Sequence, residues 1–246
     1  MNVTPELHVF DNADELARGT ADLFVAAAAR AIAHSGSFRA ALSGGSTPRL
    51  FLRMLATSAY ASQVDWRHVH LFWGDERCVP PSDAASNFRM ARQALIDHVP
   101  IPASQVHRME GELDPGAAAA EYDALLRREF TDGVTRFDLT LLGLGDNGHT
   151  ASLFPGGTAV REAEHLVVAE FIEEVQASRI TLTPTAINAS AEIAFVVCGS
   201  DKARMVRRVI ERSPDIDAVP ATAIMPVNGR LVWLLDDAAA AHLEAI

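Results

Sequence analysis

The sequence predicts an α/β fold built on a mostly parallel sheet that helices cover on both faces. Three observations carry that prediction. Short apolar runs of strand length alternate along the chain with stretches of helical length. The run Phe137–Leu144 is apolar almost throughout, as a central strand with two covered faces should be. Glycine-rich polar clusters recur at the carboxyl ends of the strands, where open α/β sheets place their ligands.

The elements follow in order. Asn12 and Glu15 have capping-box spacing, and Leu16, Leu23, Ala27 and Ala31 then share one face, so a first helix should run to about His34 and stop at Ser35-Gly36. Phe38–Leu42 reads as a strand, and a second helix is expected near Pro48, whose missing N–H costs nothing at a first helical position. Val69–Trp73 is the next strand and runs into Gly74-Asp75-Glu76-Arg77. Helices are expected through about Leu95 and over Pro115–Phe130, with Leu125 and Leu126 facing inward. After Phe137–Leu144 come strands at His165–Phe171, Arg179–Thr183, Glu192–Cys198 and Leu231–Leu235, with helices near Thr185–Ala189 and Asp201–Glu211. No composition break, long linker or internal period divides the chain, so one domain over residues 1–246 is expected.

Composition removes several classes of function. At 49% hydrophobic and 22% charged, the 246 residues can form a large core, which excludes disorder. The 21 Lys+Arg against 32 Asp+Glu give a net charge of −11, the wrong sign for neutralising a nucleic-acid backbone, so no nucleic-acid partner is expected. The longest apolar stretch, Leu23–Ile32, is short and carries Arg30, and the start of the chain lacks a signal-peptide pattern; no membrane partner is expected either. Two cysteines, Cys78 and Cys198, suit a reduced compartment, and a cytoplasmic location is the expectation. Oligomeric state is not legible here; a monomer is the default.

Four constellations could carry chemistry. Ser43-Gly44-Gly45-Ser46-Thr47-Pro48 lies between a strand and a helix start, where unpaired N–H groups and hydroxyls suit a phosphate; an ordinary glycine-rich turn would look the same locally. Asp75-Glu76-Arg77 could set a carboxylate or guanidinium over a ligand or form a surface ion cluster, and three adjacent charges cannot all point one way. In Gly145-Asp146-Asn147-Gly148-His149, glycines flank a histidine as if to present its imidazole, a group able to take a proton from water near neutral pH. Arg179 opens a strand, and Lys202, the chain's one lysine, falls near a helix start where an anion would offset its unfavourable position. Asp75, Asp146 and Asn147 are candidate orienting groups. Cysteine spacing, the pair His68 and His70 with no acidic residue at convincing spacing, and the absence of Gly-x-Ser-x-Gly point away from a metal site and from a serine nucleophile elbow.

Together these stretches, with Ser86-Asn87, the run His149-Thr150-Ala151-Ser152-Leu153-Phe154-Pro155 and the C-terminal Pro226…Leu231-Val232-Trp233…Asp236, resemble the 6-phosphogluconolactonases of the sugar-phosphate isomerase/deaminase superfamily. The resemblance implies a Rossmann-like sheet and hydrolysis of 6-phospho-D-glucono-1,5-lactone to 6-phospho-D-gluconate, in the oxidative pentose phosphate pathway, without a cofactor. It assigns His149 as general base, puts Arg77 in the active region, and gives the Ser43–Thr47 loop, Arg179 and Lys202 to the phosphate. The family commonly has Asp where this chain has Asn147, which an amide can replace as an orienting group but not as a proton acceptor. A glucosamine-6-phosphate deaminase/isomerase would carry Glu five residues after the histidine; here that residue is Phe154. A non-catalytic sugar-phosphate sensor would keep the phosphate site but have no use for His149.

Overall fold

Six parallel strands form the central layer of the computed structural model, which describes residues 4–130, 136–211 and 215–244. They are β1 (Glu6–Phe10), β2 (Phe38–Leu42), β3 (Val69–Trp73), β5 (Leu139–Leu142), β8 (Glu192–Val197) and β9 (Arg230–Asp236), in the order β1-β9-β8-β5-β2-β3. A second, antiparallel sheet of β4 (Asp75–Arg77), β7 (Ala177–Leu182) and β6 (Val167–Ile172) stands at the carboxyl edge of the first. Helices are α1 (Ala13–Ser35), α2 (Ser46–Leu55), α3 (Ser58–Ala61), α4 (Asn87–Ala94), α5 (Pro115–Glu129), α6 (Pro184–Asn188), α7 (Ala203–Ile210) and α8 (Asp237–Ala240).

Side-chain alternation along the buried strands divides the core in two. Ala40 and Leu42 of β2, Leu139 and Leu141 of β5, and Ala194 and Val196 of β8 pack with α1 and α2 on one face. Ala41, Leu142, Ile193, Phe195 and Val197 pack on the other with α5, α7 and the second sheet. The expected double covering is therefore present, and it is why these strands read as apolar runs instead of alternating ones. Asn12 caps α1, its side chain accepting from Asp14 and Glu15 N–H at 3.0 Å each, and Gly36 closes the helix at φ +79°.

Several expectations are corrected. Glu15 pairs with Arg18 at 2.7 Å, so only the Asn12 half of the capping box forms. Helix α2 starts at Ser46, two residues before Pro48, and the central strand is confined to Leu139–Leu142. The predicted helix over Asp201–Glu211 is a 3₁₀ turn at Ser200–Lys202 followed by α7. The strands expected at His165–Phe171 and Arg179–Thr183 do not join the main sheet but pair with each other, and Asp75–Arg77, expected only as a charged run after β3, adds a third strand beside the second of them. Edge strand β1 carries no apolar run to announce it; it is held by its pairing to β9 and by Arg230 bonded to Glu6 at 2.6 Å.

Chain order reverses between β2 and β5. From β2 the chain steps outward to β3, then returns to β5 on the opposite side and continues to β8 and β9. The loops leaving β2 and β5 therefore diverge to opposite faces and open a crevice at the carboxyl ends of the strands.

Candidate active site

That crevice holds a cleft of about 270 Å³. Its first wall is the loop after β2, with Ser43, Gly44, Gly45, Ser46 and Thr47 all lining it. Gly45 precedes α2 at φ +108° and no side chain caps the helix, so the positive end of its dipole and its first N–H groups face the cleft.

The loop after β5 forms the second wall. Gly148 adopts φ +88°, and a Cβ there would meet Val219 Cγ1 at 2.9 Å. Gly145 lies flat under the His149 ring, where a Cβ would come to 2.1 Å from Nδ1. On the ring's other contacts, Phe154 stacks at 4.2 Å between centroids and 11° between planes. Asn147 Oδ1 accepts from His149 N–H at 3.0 Å and lies 2.6 Å from Nδ1, while Asn147 Nδ2 donates to Glu174 Oε2 at 2.8 Å. A carboxylate only accepts, so the amide's orientation is settled: its oxygen faces the imidazole, Nδ1 carries the proton, and Nε2 keeps its lone pair. Burial pulls the His149 pKa below the ordinary histidine value, opposed by the Asp75, Glu174 and Asp146 carboxylates and reinforced by Lys202. A neutral imidazole with an unprotonated Nε2 beside the cleft can accept a proton.

Strand β4 and helix α4 build the third wall. Of the three adjacent charges, Glu76 is the structural one. Its buried carboxylate accepts from Arg77, Asn87 and Phe88 N–H at 2.8, 2.7 and 2.8 Å and from Ser86 Oγ at 3.1 Å, and so caps α4. Burial raises its pKa, against the pull of those N–H groups. Asp75 lines the cleft and ties it together, accepting from Ser152 Oγ at 2.7 Å and Asn87 Nδ2 at 3.2 Å. Arg77 also lines it and donates to the Ala85 carbonyl.

Arg179 is placed differently from the other expected residues. It does not line the cleft but sits one strand away, directly opposite Arg77 in the β4–β7 register. Burial and the Arg77 guanidinium pull its pKa below the usual arginine value. Two like charges on directly opposed residues repel one another. An anion at that rim would relieve them.

After β8 the chain contributes Cys198 and Lys202. The Lys202 side chain is partly buried, and its ammonium lies 3.2 Å from Asp201 Oδ2. Cys198 donates to Asp236 Oδ2 at 2.9 Å, and burial together with that carboxylate pushes its pKa up to about 12. It is a thiol, not a nucleophile. Asp146, expected as an orienting group, is exposed on the cleft rim and accepts from Asn147 N–H at 3.1 Å. Among the described residues, the group able to hold a metal is His70, His107 and Glu129, none of which lines the cleft. His70 thus pairs with His107 at 3.1 Å, whereas His68 lies 3.8 Å from Asp65.

The sequence reading missed Asn87, Thr150 and Glu174 as parts of this site. Asn87 had a signal, since Ser86-Asn87 belongs to the resemblance. Glu174 had none, being brought to His149 only by the β6–β7 hairpin.

With the cleft assembled from four separate stretches of chain, comparison with known proteins decides the family. Residues 11–233 match the family described as glucosamine-6-phosphate isomerases/6-phosphogluconolactonase. The chain belongs to that family. It is 39% identical over 253 residues to the 6-phosphogluconolactonase of Mycobacterium tuberculosis, covering 99% of this chain and 100% of that one. It is 40% identical over 199 residues to that of Aggregatibacter actinomycetemcomitans, covering 81% and 84%. Among solved structures, the 6-phosphogluconolactonase from Trypanosoma cruzi superposes with a TM-score of 0.88 at 27% identity, covering 100% of this chain and 99% of the other. A monomeric glucosamine-6-phosphate deaminase superposes with a TM-score of 0.81 at 20% identity, a likeness of fold alone. Among the described residues, no helix is long and apolar enough to cross a membrane.

Proposed function

We propose that this protein hydrolyses 6-phospho-D-glucono-1,5-lactone to 6-phospho-D-gluconate. The observation that carries the reading is the setting of His149: Nδ1 is engaged by Asn147, Nε2 is left to accept a proton, and Phe154 covers the ring where an isomerising enzyme would need a carboxylate. Family membership and the lactonase relatives support it.

The steps follow from the cleft. The substrate phosphate is held by the Ser43–Thr47 loop at the start of α2, by Lys202 and, at the rim, by Arg179. This fixes the lactone ring at the strand ends. His149 Nε2 takes a proton from water as the water oxygen attacks C1. Arg77 and the loop N–H groups are the donors available to the tetrahedral oxyanion. The bond from C1 to the ring oxygen then breaks, and the imidazolium returns its proton to that oxygen. The new carboxylic acid ionises and releases one proton to solvent. Asp75 positions Asn87 and Ser152; Asn147 and Asp146 order the His149 loop.

One domain carries the reaction, and we place it in the cytoplasm on the strength of the two free cysteines and the composition. The compartment varies among relatives: a 36% identical protein of Arabidopsis thaliana, matched over 93% of this chain and 71% of its own length, is named chloroplastic. The test is a pH-stat assay of fresh 6-phosphogluconolactone, corrected for spontaneous opening. Proton release no faster than the uncatalysed rate would overturn the proposal.

A further inference from the structure

The hairpin between β6 and β7 turns through residues 173–176, and its tip has a defined shape. Gln176 sits in the left-handed region at φ +46°, and its Nε2 donates to the Glu173 carbonyl at 2.8 Å and to Glu173 Oε2 at 2.9 Å. Glu173 is thereby held on its own turn. Glu174, its neighbour, reaches instead to the loop after β5 and accepts from Asn147 Nδ2. A line of contacts runs from the Glu174 carboxylate through the Asn147 amide to the His149 imidazole, with links of 2.8 and 2.6 Å.

We propose that Glu174 is a positioning residue for this reaction: by holding the Asn147 amide in one orientation, it keeps His149 in the tautomer that leaves Nε2 able to accept a proton. This rests on the hydrolytic reading above. The reason is the symmetry of an amide. Two contacts set the orientation of Asn147: the His149 backbone N–H donates to Oδ1 at 3.0 Å, and Glu174 accepts from Nδ2; without Glu174 only the backbone bond opposes the flip that would turn the NH₂ group toward Nδ1. The NH₂ orientation would favour the tautomer with the proton on Nε2, which cannot act as a base. Glu174 accepts and cannot donate, so only one orientation satisfies both ends. Its charge also favours the imidazolium formed when water is deprotonated. The chain thus has a carboxylate one amide removed from the histidine, the amide standing at the position where the resemblance implies an aspartate.

The other charged groups facing His149 are Asp75 from β4, Asp146 from its own loop and Lys202 from the turn after β8. None of them contacts Asn147 Nδ2. Their influence on His149 survives replacement of Glu174, which makes the effect separable.

The test reads tautomer and kinetics together. Long-range ¹H–¹⁵N correlation spectra of the full chain, with the His149 signals identified by their loss in His149→Ala, should show the Nδ1–H form in the native protein. They should show a mixture with the Nε2–H form in Glu174→Ala. Turnover of the phosphorylated lactone should fall about three- to tenfold, the loss expected from one net hydrogen bond, with KM within about twofold. The acidic limb of kcat/KM should move to lower pH by roughly 0.4 unit, the effect of one charge about 7 Å away in a water-like medium. Glu174→Gln keeps the shape and should reproduce the pH shift. Asn147→Asp combined with Glu174→Ala should restore the Nδ1–H form and bring turnover to within about twofold of native. Native tautomer and an unmoved pH profile in Glu174→Ala would overturn the proposal. Native protein without lactonase activity would overturn the functional reading instead, while the spectra would still judge the contact line.

Discussion

Arg179 offers the sharpest test of how the substrate is held, because it lies beside the cleft and not in its lining. Replace it with alanine. In the native protein it stands opposite Arg77, half-buried, and among the described residues its Nη1 donates to the neighbouring Ser178 carbonyl at 3.3 Å. A charged hydrogen bond to phosphate is worth about 1.5–3 kcal/mol, so its loss should lower kcat/KM for the phosphorylated lactone by roughly 10- to 150-fold. Unphosphorylated glucono-1,5-lactone has nothing to offer this guanidinium, and its kcat/KM should change less than about threefold. Without ligand the variant should lose little stability, because relief of repulsion from Arg77, on the order of 0.2–1 kcal/mol, offsets the lost packing. Arg77→Ala should behave differently and slow both lactones if Arg77 is, as proposed, a donor to the oxyanion. The assay is proton release in a pH-stat on both substrates, with thermal unfolding in the presence and absence of 6-phosphogluconate. If Arg179→Ala preserves the native preference for the phosphorylated substrate, the rim arginine does not bind phosphate and the clamp is wrong.

The other variants address the base and its loop. His149→Ala should lower kcat about 10²- to 10⁴-fold while 6-phosphogluconate still inhibits; near-native turnover in a folded variant would remove His149 from the base role. Because burial lowers the His149 pKa and the base must be neutral, the acidic limb of kcat/KM should lie below the ordinary histidine value of 6.5, so activity persists as pH falls through it; a limb above that value would contradict the reading. Gly145→Ala brings a methyl to 2.1 Å from Nδ1 and must displace the ring, so kcat should drop at least about tenfold with little change in circular dichroism; native turnover would mean that the ring's position is not critical. Cys198→Ala should keep turnover within about threefold, because a thiol with its pKa near 12 is no nucleophile, and a larger kcat loss would assign it a part in the chemistry.

What was legible in the sequence had a local cause. The buried strands were placed well because an apolar run covered on both faces is visible residue by residue, as at Phe38–Leu42 and Val69–Trp73, where prediction and structure coincide. The start of α1 was legible because Asn12 caps it through its own side chain. The second sheet was not, because β4 is three charged residues whose strand character comes wholly from pairing with β7, over a hundred residues later. The same holds within the site. The glycine loop and His149 announced themselves by local pattern, but Glu174 reaches the histidine only through a hairpin, and Arg179's distance from the cleft depends on its register with Arg77.

Overall likeness of fold does not choose between a lactonase and an amino-sugar deaminase/isomerase, since this chain superposes at similar TM-scores on a 6-phosphogluconolactonase and on a glucosamine-6-phosphate deaminase. The choice falls to single side chains. Isomerisation must move a proton between adjacent carbons and open an amino-sugar ring, tasks that call for a carboxylate in addition to the histidine. Here the position five residues after His149 carries Phe154, whose ring lies parallel to the imidazole at 4.2 Å and leaves no acid there to share a proton. Asn147, where a second carboxylate would stand, accepts from the imidazole through an amide oxygen that cannot be protonated at neutral pH. Lactone hydrolysis needs neither acid. Its carbonyl is already electrophilic, water supplies the nucleophile, and one histidine can take a proton and give it back. An apolar ring against the histidine suits that task, because it excludes water from the ring face and lowers the pKa toward the neutral form that the first step requires.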